Sequence, residues 1–181
     1  MVERQLIHMR QVESLAFLRG DGAWDLEVSL TDRKARTFPG GAGDLPAGVP
    51  IHAMTLACTV TAAGNVLAAR ATMRNVPFET TCGQVAPNYS ALVGLNLFRR
   101  FRSGVKERLG DVAGCSHLSM LAEVLPTLAF QAFAGVTEPI RDDGSLSERP
   151  VSLDRCGGLR TDGDAVRRYW PRWYRAPADD S

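Results

Sequence analysis

The strongest constraint on this chain is a pair of strand-forming stretches, residues 51–60 and 66–73, joined through Ala62-Ala63-Gly64-Asn65. So short a glycine-containing link pairs them as an antiparallel hairpin. Alternation then places His52, Met54, Leu56, Cys58 and Val60 on one face of the first strand. The apolar members mark that face as the core side. His52 therefore stands at the end of a buried row, beside the loop at Pro50, where a side chain can reach a cleft. Cys58 lies mid-strand and reads as core packing, because a free cysteine behaves as a small hydrophobe.

Upstream, Trp24, Leu26, Val28 and Leu30 alternate with polar residues, the period of a half-buried strand. Gly20-Asp21-Gly22 separates that strand from the apolar stretch 15–18, so Arg19-Gly20-Asp21 reads as a turn and not as an adhesion motif. Residues 38–50, rich in proline and glycine, are expected to form a surface loop. Past Pro77 the chain turns through Cys82-Gly83 and Pro87-Asn88 toward a helix whose stripe is Leu97, Phe98, Phe101, Val105 and Leu109. The surrounding Arg99, Arg100, Arg102, Lys106 and Arg108 read as a solvated helix face rather than a phosphate-binding surface. A second helix is expected from about Ser116, which is its N-cap candidate, through Leu118, Leu121, Ala122 and Leu125 toward Phe133. Pro126 should kink or restart it, at a cost on the order of 3 kcal/mol. The aromatic and basic run 167–175 is expected to dock its Trp and Tyr side chains on the domain rather than to stack nucleic-acid bases.

Strands first and helices after give an α+β class, an antiparallel sheet with helices packed on one face. At 181 residues and 19.6 kDa the expectation is a single domain over 1–181. It comprises N-terminal strands and a loop (1–48), a sheet-helix core (49–135) and a C-terminal extension (136–181). With 21 Lys+Arg against 20 Asp+Glu, the net charge of +1 supplies no field that would draw nucleic acid or an acidic membrane. The charged N-terminus does not resemble an export signal, and no apolar run nears the roughly 20 residues that span a bilayer. The expected setting is cytoplasmic, where Cys58, Cys82, Cys115 and Cys156 remain thiols. The expected partner is a small-molecule substrate, and a homo-oligomer is compatible with the composition.

Gly114-Cys115-Ser116-His117-Leu118 is the most informative pentapeptide. Its Cys and His flank a helix start, where unbonded N–H groups favour a thiolate. Two residues apart, they can converge as metal ligands or as a thiol and its base. His52 and Cys82 are the natural additions, which makes His52, Cys82, Cys115 and His117 the candidate metal set. Zinc is the metal expected of two Cys and two His, with iron less favoured. The four do not follow the close pairing of a zinc finger, and spacing alone is met as simply by unconnected structural residues. No P-loop, dinucleotide-binding glycine fingerprint, H-E-x-x-H or nucleophile elbow is present.

In combination, His8-x-Arg10, Arg19-x-Asp21-Gly22-x-Trp24-Asp25, Asp32-x-Lys34, Ile51-His52-x-Met54, Cys82, Gly94 and the 114–118 pentapeptide resemble the bacterial domain of unknown function 2889 family. The likeness extends to Asp154-x-Cys156 and Tyr169-Trp170-Pro171, although Gly157 stands where members often have histidine. That family implies no activity. A fainter resemblance, over about 49–135, is to iron–sulfur cluster assembly scaffold proteins. It rests on Cys115-Ser116 followed by Ser119-Met120-Leu121-Ala122-Glu123. It implies a scaffold-like core in which His52, Cys82, Cys115 and His117 meet at one end of the sheet. The scaffold's first cysteine falls near Pro50, so the three-thiolate set is incomplete, which argues against cluster assembly.

The function expected from these residues is that of a small-molecule enzyme, hydrolase or lyase, acting on an aromatic or acyl substrate. His8, Arg10, Arg19, Asp21, Asp25, Asp32 and His52 are the candidate acid, base and anchoring groups. A zinc held by three of the four metal candidates would leave an open position. Without metal, His52 or His117 is the general base and Arg10 or Arg19 orients a carboxylate. The alternative is a non-catalytic metal-binding or iron–sulfur-related carrier that meets its partner through the Cys115 end.

Overall fold

The computed structural model describes residues 1–41 and 43–176. Its strands are β1 (His8–Leu18), β2 (Trp24–Lys34), β3 (Phe38–Gly40), β4 (Gly43–Leu45), β5 (Pro50–Val60) and β6 (Val66–Asn75). Its α-helices are α1 (Glu79–Cys82), α2 (Phe101–Leu109), α3 (Ser116–Phe133) and α4 (Asp164–Tyr169). The chain divides into two compact units, Met1–Ala129 and Phe130–Ser181.

In the first unit β1, β2, β5 and β6 form an antiparallel four-stranded sheet in the order β1-β2-β5-β6, so the class is α+β with an antiparallel sheet. The central strands carry the alternation that the sequence announces. Trp24, Leu26, Val28 and Leu30 on β2 and Met54, Leu56, Cys58 and Val60 on β5 are buried, with polar neighbours between them. The register pairs Leu26 with Cys58, Val28 with Leu56 and Leu30 with Met54, so the two rows lie side by side on one face. Leu118, Leu121, Ala122 and Leu125 of α3 and Phe101, Val105 and Leu109 of α2 are also buried. Each fully buried aliphatic side chain contributes about 1.5–3 kcal/mol. Burial raises the Cys58 thiol to about 12, which keeps it protonated and inert.

Three local expectations are corrected. Residues 38–50 do not form a plain loop: β3 and β4 pair antiparallel there, Phe38 with Leu45 and Pro39 with Asp44. A two-stranded ribbon leaves each strand an open side, where a proline's missing N–H costs nothing. The helix that follows begins only at Phe101, because Arg100 takes a left-handed backbone (φ 51°), and Leu97 and Phe98 are buried ahead of it. Helix α3 runs through Pro126 as one element and does not restart there, since the proline costs one hydrogen bond in a helix anchored by its buried stripe. Gly64, in the β5–β6 turn, combines a positive φ of 82° with a close approach: a Cβ there would lie 2.6 Å from the Phe98 ring.

The second unit has its own small core of Leu153, Val166 and Trp170, packed by Leu146, Leu159, Trp173 and Tyr174. The aromatic tail docks on this unit's apolar residues. Arg172 grips Asp142 through Nε and Nη2 at 2.5 and 2.6 Å. Among the described residues no helix is long and apolar enough to cross a membrane.

Leu56 sits at the middle of the paired rows with no exposed surface. Leu56→Ala is expected to lower unfolding free energy by roughly 2–5 kcal/mol, read from the midpoint of urea denaturation at unchanged slope.

Candidate functional site

Extending the buried row of β2 by two residues from Leu30 brings it to Asp32, whose side chain is 1% exposed. A carboxylate in a core position must be matched by charge and hydrogen bonds, since burying it alone costs several kcal/mol. Strand order supplies the match. Arg10 on β1 and His52 on β5 are the cross-strand partners of Asp32, so the three side chains form one lateral row. Arg10 donates from Nε to Oδ1 at 2.7 Å and from Nη2 to Oδ2 at 2.8 Å, a bidentate pair. His52 Nδ1 lies 3.1 Å from Oδ2. His8, two residues before Arg10 and on the same face, brings Nε2 to 3.0 Å from Oδ1.

The third imidazole arrives from α3. His117 Nε2 lies 3.7 Å from Asp32 Oδ2, and its ring lies over that of His52 with centroids 4.2 Å apart. The chain has 3 histidines, and all of them meet this one carboxylate. On the far side of His117, Nδ1 lies 3.8 Å from Cys115 Sγ. Thiol, imidazole and carboxylate thus stand in series.

Tyr89 fixes the start of α3. Its hydroxyl, with no exposed surface on the residue, accepts from the Cys115 N–H at 3.0 Å, donates to the Cys115 carbonyl at 2.9 Å and lies 2.9 Å from Ser119 Oγ. Burial pushes this phenol up, so it stays a neutral donor. Ser119 N–H bonds the Cys115 carbonyl, which puts Cys115, and not Ser116, at the N-cap position. Gly114 makes that approach possible, for a Cβ there would lie 2.3 Å from the Leu109 carbonyl oxygen and 3.1 Å from the Tyr89 hydroxyl.

The electrostatics follow from the crowding. Burial pushes the Asp32 carboxyl up, but the hydrogen bonds and charge of Arg10, with His8, more than reverse it and hold it at about 2. Burial lowers the His117 pKa, and the neighbouring His52 and Arg10 lower it further against the pull of Asp32. His117 is therefore neutral at neutral pH. In the tautomer that carries the proton on Nε2, on the side of the carboxylate, Nδ1 presents its lone pair to Cys115.

Of the expected residues, the fold brings together His8, Arg10, His52, His117 and, next to His117, Cys115. Cys82 closes α1, half-buried, and no contact joins it to this group among the described residues. Among the described residues the set with metal-binding geometry is Asp32, His52 and His117, whose donor atoms lie within 4.8 Å of one another. It includes neither Cys82 nor Cys115. Arg19, Asp21 and Asp25 lie elsewhere: Arg19 pairs with Asp21 at 2.9 Å in the β1–β2 turn, and Asp25 accepts from Thr59 at 2.7 Å. Seven residues of extended chain separate Asp25 from Asp32, roughly 23 Å at strand rise. Tyr89 has no sequence signal beyond the turn at Pro87-Asn88. Asp32, a candidate from the sequence, is also marked by the continued alternation of β2.

Residues 8–131 match a family model described as a protein of unknown function, DUF2889. Searches of curated proteins and of solved structures returned no match. The matched stretch contains every residue of the Asp32 cluster.

Asp32→Asn keeps the shape and removes the charge, so it is expected to cost roughly 1–3 kcal/mol, with Arg10 partly rehydrated. The depressed carboxyl pKa adds a sign. Its stabilisation is complete above the ordinary Asp value near 3.9 and fades as pH falls toward about 2. The stability difference between wild type and variant should therefore shrink over that window in acid titrations of urea unfolding, and a difference that stays constant there would contradict the pairing.

Proposed function

We propose, for a chain that belongs to the DUF2889 family of unknown function, a small-molecule enzyme of hydrolase or lyase type acting on an aromatic or acyl substrate through Cys115 and His117. The observation that carries this reading is the series Cys115 Sγ, His117 and Asp32 Oδ2, with steps of 3.8 and 3.7 Å. Both are longer than tight hydrogen bonds, as in many sites without substrate.

In the acyl-hydrolase form, Cys115 Sγ attacks the substrate's carbonyl carbon as its proton passes to His117 Nδ1. The imidazolium formed is held by the Asp32 carboxylate, itself kept ionised by Arg10. First-turn N–H groups of α3, which no helical carbonyl accepts, are the donors available to the carbonyl oxygen as it gains charge. The proton then returns from Nδ1 to the leaving group, and a water activated by the same nitrogen releases the acyl group. His52 and His8 complete the shell of Asp32, and the four thiols are taken to work in a reducing, cytoplasmic setting.

A second reading, zinc on Asp32, His52 and His117, has the 4.8 Å grouping in its favour. It fits less well, because Arg10 already engages both oxygens of Asp32 and a dication would adjoin its guanidinium. Two imidazoles and one carboxylate suit ferrous iron as well as zinc, and the Arg10 guanidinium stands against either ion.

The test is turnover of a panel of aryl and acyl thioesters and esters by purified protein. Cys115→Ser and His117→Ala are each expected to lower kcat/KM by about 10²-fold or more without loss of fold. The acid limb of the wild-type profile should lie below the ordinary imidazole value near 6.5, because His117 stays neutral there. Full activity in Cys115→Ser, joined to stoichiometric zinc by elemental analysis and inactivation by chelator, would transfer the function to the metal reading.

A further inference from the structure

The cations of α2 and its approach are not equivalent. Arg108 donates to the carbonyls of Ala91 and Val93 at 2.7 and 3.0 Å, and Arg100 reaches Glu107 at 3.8 Å. Arg102 and Lys106, by contrast, line a cleft of about 590 Å³ whose lining also includes Gly114, Cys115, Ser116 and Ser119. They are four residues apart on one helix, so their side chains emerge as neighbours. Among the described residues neither has an ion pair, although Asp111 and Glu123 also border the cleft. Val105 and Leu109, buried in the core, contribute the apolar part of the lining. The positive end of the α3 dipole opens into the same space at Cys115. A thiol, an apolar wall and two uncommitted cations in one cleft describe a particular ligand.

We propose that this cleft selects acyl or aryl substrates bearing an anionic group, carboxylate or phosphate, away from the reacting carbonyl, with Arg102 and Lys106 as the residues that bind it. The assignment rests on the reading of Cys115 as nucleophile, and it adds the substrate's charge and the residues that read it. Neither cation enters the chemical step, so their removal should raise KM far more than it lowers kcat.

Two reagents of similar size and different charge test this. Iodoacetate and iodoacetamide are reacted with wild type and with the double variant Arg102→Gln/Lys106→Gln, and alkylation is read at each cysteine by peptide mass spectrometry. The exposed thiol Cys156 is the internal reference. The iodoacetate-to-iodoacetamide rate ratio at Cys115 is expected to exceed that at Cys156 by roughly tenfold and to fall to the Cys156 value in the double variant. Equal ratios at the two thiols in wild type would overturn the proposal.

A second measurement does not need a reactive thiol. Binding of benzoate and of phenyl phosphate to Cys115→Ser protein, followed by ligand-observed NMR, should be lost when Arg102 and Lys106 are also replaced. The stronger ligand identifies the anion. Binding indifferent to the two cations would overturn the proposal. A Cys115 that reacts with neither reagent, beside benzoate binding that still requires Arg102 and Lys106, would defeat the nucleophile reading and keep the anion site. A reactive Cys115 with no charge preference would do the reverse.

Discussion

The first unit is organised around an ionised carboxylate where its core pattern has room for a leucine. Asp32 continues the row Trp24, Leu26, Val28, Leu30, and a charge placed there is tolerated only with partners on every side. The sheet order delivers Arg10 from one neighbouring strand and His52 from the other, at the same level as Asp32. A one-residue slip in either register would turn one partner to the opposite face and leave the carboxylate exposed to its full desolvation cost. The cluster thus specifies strand pairing as well as gathering the side chains on which the proposed reaction rests. It also explains how three imidazoles coexist so closely, since a buried anion offsets whatever positive charge they carry.

The second organising element is the start of α3. Helix N-termini leave N–H groups unmatched, and here Tyr89 engages both backbone polar groups of the N-cap residue. The phenol is immobile because it is buried, and Gly114 lets the chain come close enough to reach it. The result is a residue whose backbone is fixed by Tyr89, whose Sγ lies beside His117 and which borders the cleft. Precision of this kind is what the proposed nucleophile needs and what a packing cysteine such as Cys58 does not.

Much of this fold was legible in the sequence because it is carried by alternation. The β5–β6 hairpin and the β2 row follow from period-two spacing, and α3 follows from its stripe and its glycine-flanked start. The Cys115–His117 pair and His52 were legible for the same reason, each at the end of a periodic element. What could not be read depends on distance through space. Cys82 sits in a turn as suggestive as Cys115, yet its spacing does not reveal that, among the described residues, the grouped donor atoms belong to Asp32, His52 and His117. Asp21 and Asp25 share a motif with Arg19, but extended chain carries them to the other end of the sheet from Asp32. Tyr89 has no periodic signature, since its short helical turns lack one. Asp32 is legible as a candidate acid/base or anchoring group, and the alternation continued past Leu30 places it at the next core position.

The central claim is that one carboxylate gathers all the imidazoles of the chain. Histidine side-chain nitrogen spectra, recorded by long-range proton–nitrogen NMR on wild type and Asp32→Asn, address it directly. The account predicts that all 3 histidines change tautomer balance or nitrogen shift together when the charge is removed, with Cys58 and the sheet core undisturbed. A variant in which His52 responds alone, while His8 and His117 keep their wild-type resonances, would show that no shared centre exists.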